Sequence, residues 1–320
     1  VASSISTALV SVGTAVPDNV VTNDDLSKIV NTSDEWISAR TGIKQRHMFP
    51  RDVQAYAWEL GGKAAARALN KAKMSPADID GIICATFTPD NFFPSTACKI
   101  QAFLGNCHAF AFDISAACSG FIYGLNIADA LIRSGQARTM LLVGSEIISR
   151  TLDWTDRSTC ILFGDAAGAV VLQACNKPAT GVLSTYMSSD GALGNILSLP
   201  AFGEKRYMKM SGSEVFKNAV RLMSDATKIA VSKASLKLGD IHLLIPHQAN
   251  VRIINAIAEN IGIPREKIVC NINRYGNTSS ASIPLALEEA WDQGRVKDGT
   301  VAVFTSLGGG LTVGGAAVRF

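Results

Sequence analysis

The chain repeats itself at half its own length. Ala77-Asp78-Ile79-Asp80-Gly81-Ile82-Ile83-Cys84 resembles Gly239-Asp240-Ile241-His242-Leu243-Leu244-Ile245-Pro246, about 160 residues later. Asp129-Ala130-Leu131-Ile132-Arg133-Ser134-Gly135, followed by Thr139–Val143, resembles Glu288-Glu289-Ala290-Trp291-Asp292-Gln293-Gly294, followed by Thr300–Phe304, at the same offset. Two independent matches on one offset predict two related units joined by a pseudo-twofold axis, divided here as residues 1–175 and 176–320. Each unit alternates helical and strand patterns. In the first, 60–71 reads as helix, 79–85 as strand, 97–104 as helix and 109–113 as strand; in the second, 215–235 reads as helix, 241–245 as strand and 251–261 as helix. The expected class is mixed α/β, with helices packed on sheets.

Composition narrows the function. Hydrophobic residues make up 48% and charged residues 18% of 320, which describes a core-rich chain rather than a disordered one. A net charge of +3 is too small for general nucleic-acid binding but leaves room for a local basic patch facing an acidic partner. No apolar run reaches the length of a membrane span. The seven cysteines show no CxxC and no zinc-type Cys/His spacing, and the adjacent Cys107-His108 pair makes no site alone, so no metal is expected. Reduced thiols, and a start (Val1-Ala2-Ser3-Ser4-Ile5) without the basic and apolar regions of a secretory signal, point to the cytoplasm, or to the plastid stroma if a transit peptide has been removed.

One cysteine stands apart. Cys118 follows an apolar run that ends at Asp113 and a cluster of small residues, and precedes the helical pattern 121–132. A thiol at a strand-to-helix turn feels unpaired N–H groups that favour thiolate, although most free cysteines are simply small buried hydrophobes. Adding 160 to its number reaches Thr278, in the polar stretch Asn273–Ser280, so the two units put polar turns at matching places, suited to one shared cleft. Three second-half segments are candidates to complete a site. His247 ends an apolar strand, or is a structural histidine. Tyr275-Gly276-Asn277-Thr278-Ser279 is a site loop, or a plain turn and helix cap. Gly308-Gly309-Gly310 lies between strand patterns without a following helix, which rules out a dinucleotide loop and leaves a close-approach turn with exposed N–H groups or an ordinary hairpin. A cysteine nucleophile, N–H groups for an oxyanion and a His/Asn pair for a second thioester oxygen fit carbon–carbon condensation.

On these motifs the sequence resembles the β-ketoacyl-acyl-carrier-protein synthase III family over nearly its whole length. The matching stretches are Thr32–Trp36 with Arg40–Ile43, Ala116–Phe121, Asp153–Arg157, Phe163–Ala169, Pro246–Asn250, Gly276–Ser279 and Gly308–Gly310. The resemblance implies a thiolase-like fold layered α/β/α/β/α and a triad of Cys118, His247 and Asn277. Cys118 would accept an acyl group from an acyl-CoA primer. His247 and Asn277 would stabilise the enolate left when malonyl-acyl-carrier-protein loses CO2. The N–H groups of Cys118 and Gly309 would form the oxyanion hole. Trp36, Arg40, Arg157, Phe216 and Asn250 would line the CoA and phosphopantetheine tunnel. Phe93, Leu162 and Phe163 would shape the acyl pocket, Phe93 being inserted by the partner of a homodimer. Lys217 and Arg252 would face the acidic acyl carrier protein. No cofactor is implied, since acyl-CoA and malonyl-carrier-protein are substrates. The chain departs from the family pattern at Ser158 (often Gly), Val313 (often Trp) and Glu259-Asn260 (often basic). A hydroxymethylglutaryl-CoA-synthase-like enzyme would need a glutamate near the cysteine, and the local motif has none. Other rivals are a condensing relative from secondary metabolism, an inactive thiolase-fold binding protein, and a thioesterase or acyltransferase.

Overall fold

The computed structural model describes residues 5–105, 108–177, 179–204 and 206–320. Residues 1–4, read above for a signal, and Cys107 lie outside the described residues. Nine strands and seven helices frame the site. They are β1 (Ser6–Ala15), α1 (Asp34–Thr41), α2 (Ala57–Ala72), β2 (Gly81–Ala85), α3 (Thr96–Leu104), β3 (Phe110–Ile114), α4 (Gly120–Arg133), β4 (Thr139–Glu146), β5 (Ala166–Cys175), β6 (Gly181–Ser189), α5 (Gly212–Lys233), β7 (Leu243–Pro246), α6 (Val251–Ile261), α7 (Ser282–Asp292), β8 (Val301–Gly308) and β9 (Thr312–Arg319). Each element expected from periodicity is present, with ends shifted by a few residues.

The repeat is visible in the strand order. The first sheet runs β1-β5-β4-β2-β3 and the second β7-β8-β9-β6. In the first, β1 and β4 flank β5 antiparallel, and β4 pairs parallel with β2. In the second, β6 and β8 flank β9 antiparallel, and β8 pairs parallel with β7. Thus β1, β2, β4 and β5 correspond in order and direction to β6, β7, β8 and β9.

Both faces of each sheet are covered, so the strands read as continuous apolar runs rather than alternating ones. Ile82, Leu141 and Val143 turn outward to Leu60, Ala64 and Ala68 of α2 and Ile100 of α3. Their neighbours Ile83, Met140 and Leu142 turn inward to Phe121 and Leu125 of α4 and to Ile283 and Leu287 of α7, which also meet Ile245, Ala302 and Phe304 of the second sheet. The outer face of that sheet, with Leu244, Val303 and Ala317, carries Met223 and Ala226 of α5 and Ile253 and Ile257 of α6. The five layers α/β/α/β/α follow. Burying a large apolar side chain in them contributes about 1.5–3 kcal/mol each, and the central pair Phe121/Phe304 meets edge-on at 6.1 Å between centroids.

Candidate active site

Each half enters its central helix through a single 3-10 turn. Ala117–Ser119 precedes α4 and Ser279–Ala281 precedes α7. Both turns hold a non-glycine residue in the left-handed region, Ala117 at φ 46° and Ser279 at φ 53°. These positions are 162 apart, so the counterpart of Cys118 is Ser280, two residues beyond the Thr278 expected from an offset of 160. The turns dock across the molecular twofold. A Cβ on Gly308 of β8 would lie 2.7 Å from the backbone nitrogen of Cys118, and one on Gly144 of β4 would lie 2.6 Å from the carbonyl oxygen of Ser280. Only glycine lets each strand approach the other half's turn so closely. The triple-glycine segment is therefore both a tight hairpin, joining β8 to β9, and a close-approach turn.

Cys118, His247 and Asn277 line one cavity of about 960 Å³. All three are buried, with 7%, 2% and 6% of their surface exposed. His247 follows β7, and its N–H donates to the carbonyl of Thr305 on β8 at 2.8 Å. Its Nδ1 atom is 2.7 Å from Ser282 Oγ, at the start of α7. The Gln248 N–H reaches the same Oγ at 3.4 Å. The Ser282 hydroxyl, which pairs with Nδ1 while accepting from Gln248, fixes the plane of the imidazole ring. Burial pushes the His247 imidazole down to about 3, so it is neutral. Asn277 is held by its N–H to the Leu162 carbonyl at 2.8 Å and by its own carbonyl, which accepts from the Gly164 N–H at 3.0 Å. Its Oδ1 accepts from the Ser279 N–H at 2.9 Å, which assigns the amide its rotamer and leaves the NH2 group as the donor toward the cavity. A neutral imidazole and an amide NH2 group therefore share the cavity with the thiol.

The thiol itself differs from the expectation. Burial pushes Cys118 up to about 12; the Ser279 hydroxyl, hydrogen-bonded to it, lowers it, and the charge of Glu146 raises it further. At rest the group is a thiol, because desolvation outweighs the favourable helix terminus. Glu146 is the residue that sequence reasoning missed. It ends β4, is fully buried, and comes beside Cys118 from 28 residues away, where a search confined to the local motif finds no glutamate. It is not on the cavity wall among the described residues and accepts from the Ser279 hydroxyl at 3.3 Å, so it is not placed to touch a substrate.

The other expected residues fall into groups. Gly309, Leu162 and Phe163 line the cavity, as do Trp36, Arg40, Phe216, Asn250 and Arg252. At its mouth the Trp36 ring lies 4.3 Å from the Arg40 guanidinium carbon and 4.4 Å from that of Arg157. Arg157 is anchored by a 2.8 Å bond to the Asn31 carbonyl. Asn250 caps α6 through Oδ1 to the Arg252 N–H at 2.8 Å, while its Nδ2 donates to the Arg40 carbonyl at 3.0 Å, joining α1 to α6. Arg252 lies 5.7 Å from the Phe216 ring, and Lys217 is exposed beside it on α5. Phe93 is not brought to this cavity by its own chain; it is 86% exposed, next to Phe92 at 83%. Met208, Met210, Leu197 and Leu199 also line the cavity and were not anticipated; nothing in their local pattern separates them from core residues.

A fold of two related halves, with a buried cysteine, a neutral histidine and an asparagine amide converging on one tunnel-fed cavity, defines a condensing enzyme of the thiolase fold. The models of 3-oxoacyl-[acyl-carrier-protein] synthase III and of its C-terminal region match residues 112–191 and 231–320. A β-ketoacyl-[acyl-carrier-protein] synthase III of Aquifex aeolicus is 49% identical over 316 residues, 99% of this chain and all of that one. The crystal structure of the Aquifex aeolicus synthase superposes with a TM-score of 0.94, covering 98% of this chain and 100% of that one; that of Thermus thermophilus does so with a TM-score of 0.94 at 42% identity, covering 98% and 99%. The chain belongs to the β-ketoacyl-acyl-carrier-protein synthase III family. No helix among the described residues is long and apolar enough to cross a membrane.

Proposed function

We propose that the chain is the initiating condensing enzyme of type II fatty-acid synthesis. Cys118 takes an acyl group from acyl-CoA and releases CoA. Malonyl-acyl-carrier-protein then loses CO2, and the enolate attacks the acyl-Cys118 carbonyl to give β-ketoacyl-carrier-protein. The observation that carries this reading is the neutral imidazole and amide NH2 group in the cavity that the thiol lines. A hydrolase needs a good base to activate water, whereas burial makes the His247 imidazole a weak one and the Asn277 amide oxygen is already bonded, so a neutral ring and an amide NH2 group suit a thioester oxygen where enolate charge develops. The Cys118 and Gly309 N–H groups take the second oxyanion.

Trp36, Arg40 and Arg157 suit the adenine and phosphates of CoA, Phe216 and Asn250 the pantetheine arm. Leu162 and Phe163 bound the acyl chain. Lys217 and Arg252 suit an acidic carrier protein. The exposed Phe92 and Phe93, and the unpaired edge of β3 with Phe110 41% exposed, support a homodimer in which Phe93 reaches the partner's acyl pocket. The reaction requires no cofactor, and the free thiols suit a cytoplasmic or stromal setting.

The test is release of labelled CO2 from malonyl-carrier-protein across a panel of acyl-CoA primers. Release that depends on acyl-CoA and on Cys118 supports condensation. Acyl transfer or hydrolysis without CO2 release, or a Cys118→Ala variant with full condensing activity, overturns it.

A further inference from the structure

Arg46, on the short strand Gln45–His47, is fully buried behind the wall of the cavity. Burial pushes its guanidinium down only to about 10, so the charge persists at neutral pH. Among the described residues no carboxylate pairs with it. Nη1 donates to Asn23 Oδ1 at 2.8 Å and to the Val21 carbonyl at 3.3 Å, and Nη2 donates to the Ile161 carbonyl at 2.5 Å. The buried Nε has no partner among the described residues. A charge without a counter-charge is among the costliest groups to bury, and an apolar side chain would fill the same place at lower cost. The guanidinium is therefore retained for what it holds.

What it holds is the strand-like wall that carries Asn277. Ile161, Leu162, Phe163 and Asn277 all line the cavity. The Asn277 N–H donates to the Leu162 carbonyl at 2.8 Å, and the Gly164 N–H donates to the Asn277 carbonyl at 3.0 Å, so Phe163 and Asn277 form a parallel bridge. Both segments close on the Arg46 stem. A Cβ on Gly164 would lie 3.1 Å from Arg46 Cβ, and one on Gly276 would lie 3.4 Å from it. The backbone beside Arg46 is bonded to the same two segments, the Asp165 N–H donating to the His47 carbonyl at 2.8 Å and the Lys44 N–H to the Asn273 carbonyl at 3.0 Å. The carbonyl that Arg46 grips is one residue before the carbonyl that receives Asn277, so a shift of the first is passed to the second.

We propose that Arg46 is a positioning residue for the decarboxylative half-reaction: by pinning the Ile161 carbonyl it fixes the bridge between Phe163 and Asn277, and with it the place at which the Asn277 amide meets the developing enolate. The proposal rests on the condensing reaction above. Arg46 makes no bond to the turn Ala117–Ser119 that carries the nucleophile, so the acylation of Cys118 does not draw on it.

A two-step assay tests this. Acylation of Cys118 by acyl-CoA is followed by mass. Preformed acyl-enzyme is then mixed with saturating labelled malonyl-carrier-protein, and CO2 release is timed over one turnover. Arg46→Lys keeps the charge but loses the two-nitrogen fork. It is expected to slow CO2 release about tenfold, while acylation stays within about twofold and half-saturation by malonyl-carrier-protein is unchanged. Asn277→Ala supplies the decisive background. With the amide gone Arg46 has nothing to position, and adding Arg46→Lys is expected to slow CO2 release by less than about twofold further. The full loss repeated in that background, or equal losses in acylation and CO2 release, overturns the proposal. Asn23→Ala removes the acceptor of Nη1 and leaves the cavity wall in place; it is expected to show the same pattern with a loss of about fivefold. It carries the test if Arg46→Lys does not fold, and failure to show the pattern overturns the proposal equally. Absence of CO2 release from the unmodified protein would instead overturn the reading of the function.

Discussion

The Nδ1 atom of His247 lies 2.7 Å from the hydroxyl oxygen of Ser282, the first residue of α7. The bond ties a side chain at the end of one strand to a helix that begins 35 residues later, and it fixes the plane of the ring. Ser282→Ala removes it. Decarboxylation of malonyl-carrier-protein is expected to fall about tenfold, the worth of one such hydrogen bond, while acylation of Cys118 by acyl-CoA is little changed. Ser282→Thr, which keeps the hydroxyl, is expected to retain most of the rate. Separate assays of the two half-reactions check this; equal losses in both would count against it.

Asn277 offers a sharper substitution. In Asn277→Asp a carboxylate oxygen replaces the NH2 donor that faces the cavity, so a hydrogen bond to the developing enolate becomes a repulsion. Decarboxylation is expected to fall by about 10²–10³-fold, with the acyl-enzyme still detectable by mass.

Two buried groups of the site contribute to the acid limb of stability, with opposite signs. His247 is pulled down from 6.5 to about 3, so between those values the unfolded chain binds a proton that the folded one does not, and stability is lost as pH falls. Glu146 is pushed up from 4.5 to about 7, so between those values the folded chain binds the extra proton, and stability is lost as pH rises. The two oppose each other from about 4.5 to 6.5; of the two, only His247 contributes below 4.5. Denaturant midpoints of Glu146→Gln and of the unmodified chain are expected to converge as pH falls toward 4.5 and to separate above it.

Trp36 carries two guanidinium groups at the mouth of the cavity. Trp36→Ala removes the ring against which Arg40 and Arg157 rest and is expected to raise KM for acyl-CoA about tenfold, equivalent to ~1.4 kcal/mol, with a smaller effect on saturation by malonyl-carrier-protein. Steady-state kinetics with each substrate varied in turn would expose an equal effect on both.

Phe304 of β8 faces the central helix layer, fully buried and edge-on to Phe121. Phe304→Ala leaves a cavity between the two halves and is expected to cost about 3–5 kcal/mol in chemical denaturation. Ala174→Ser, at the partly buried end of β5, is expected to change stability by less than about 1 kcal/mol.

Much of the site was legible because the residues that make it sit at the ends of strongly patterned elements. Cys118 and His247 follow apolar strands and precede helical periodicity, and Gly308–Gly310 falls between two strand patterns, so each had an address before any coordinates. The offset of the repeat was legible only to within two residues; the left-handed positions at Ala117 and Ser279 fix it at 162, making Ser280 the partner of Cys118. Glu146 was not legible. It ends an apolar strand as an ordinary polar residue would, and its place beside the thiol depends on β4 lying against the turn of the other half. Met208, Met210, Leu197 and Leu199 were hidden for a similar reason, since an apolar side chain facing a cavity has the same local pattern as one facing a core.

The sequence by itself determined the elements, their duplication and the types of group available for chemistry, because hydrophobic periodicity and turn residues act over a few positions of chain. The tertiary structure alone decided the protonation of those groups. Desolvation of Cys118 and His247, the bond from Ser279 to Glu146 across the twofold and that from Ser282 to His247 within the second half all arise where segments distant in sequence meet, and the charge each group carries is set by what surrounds it in space.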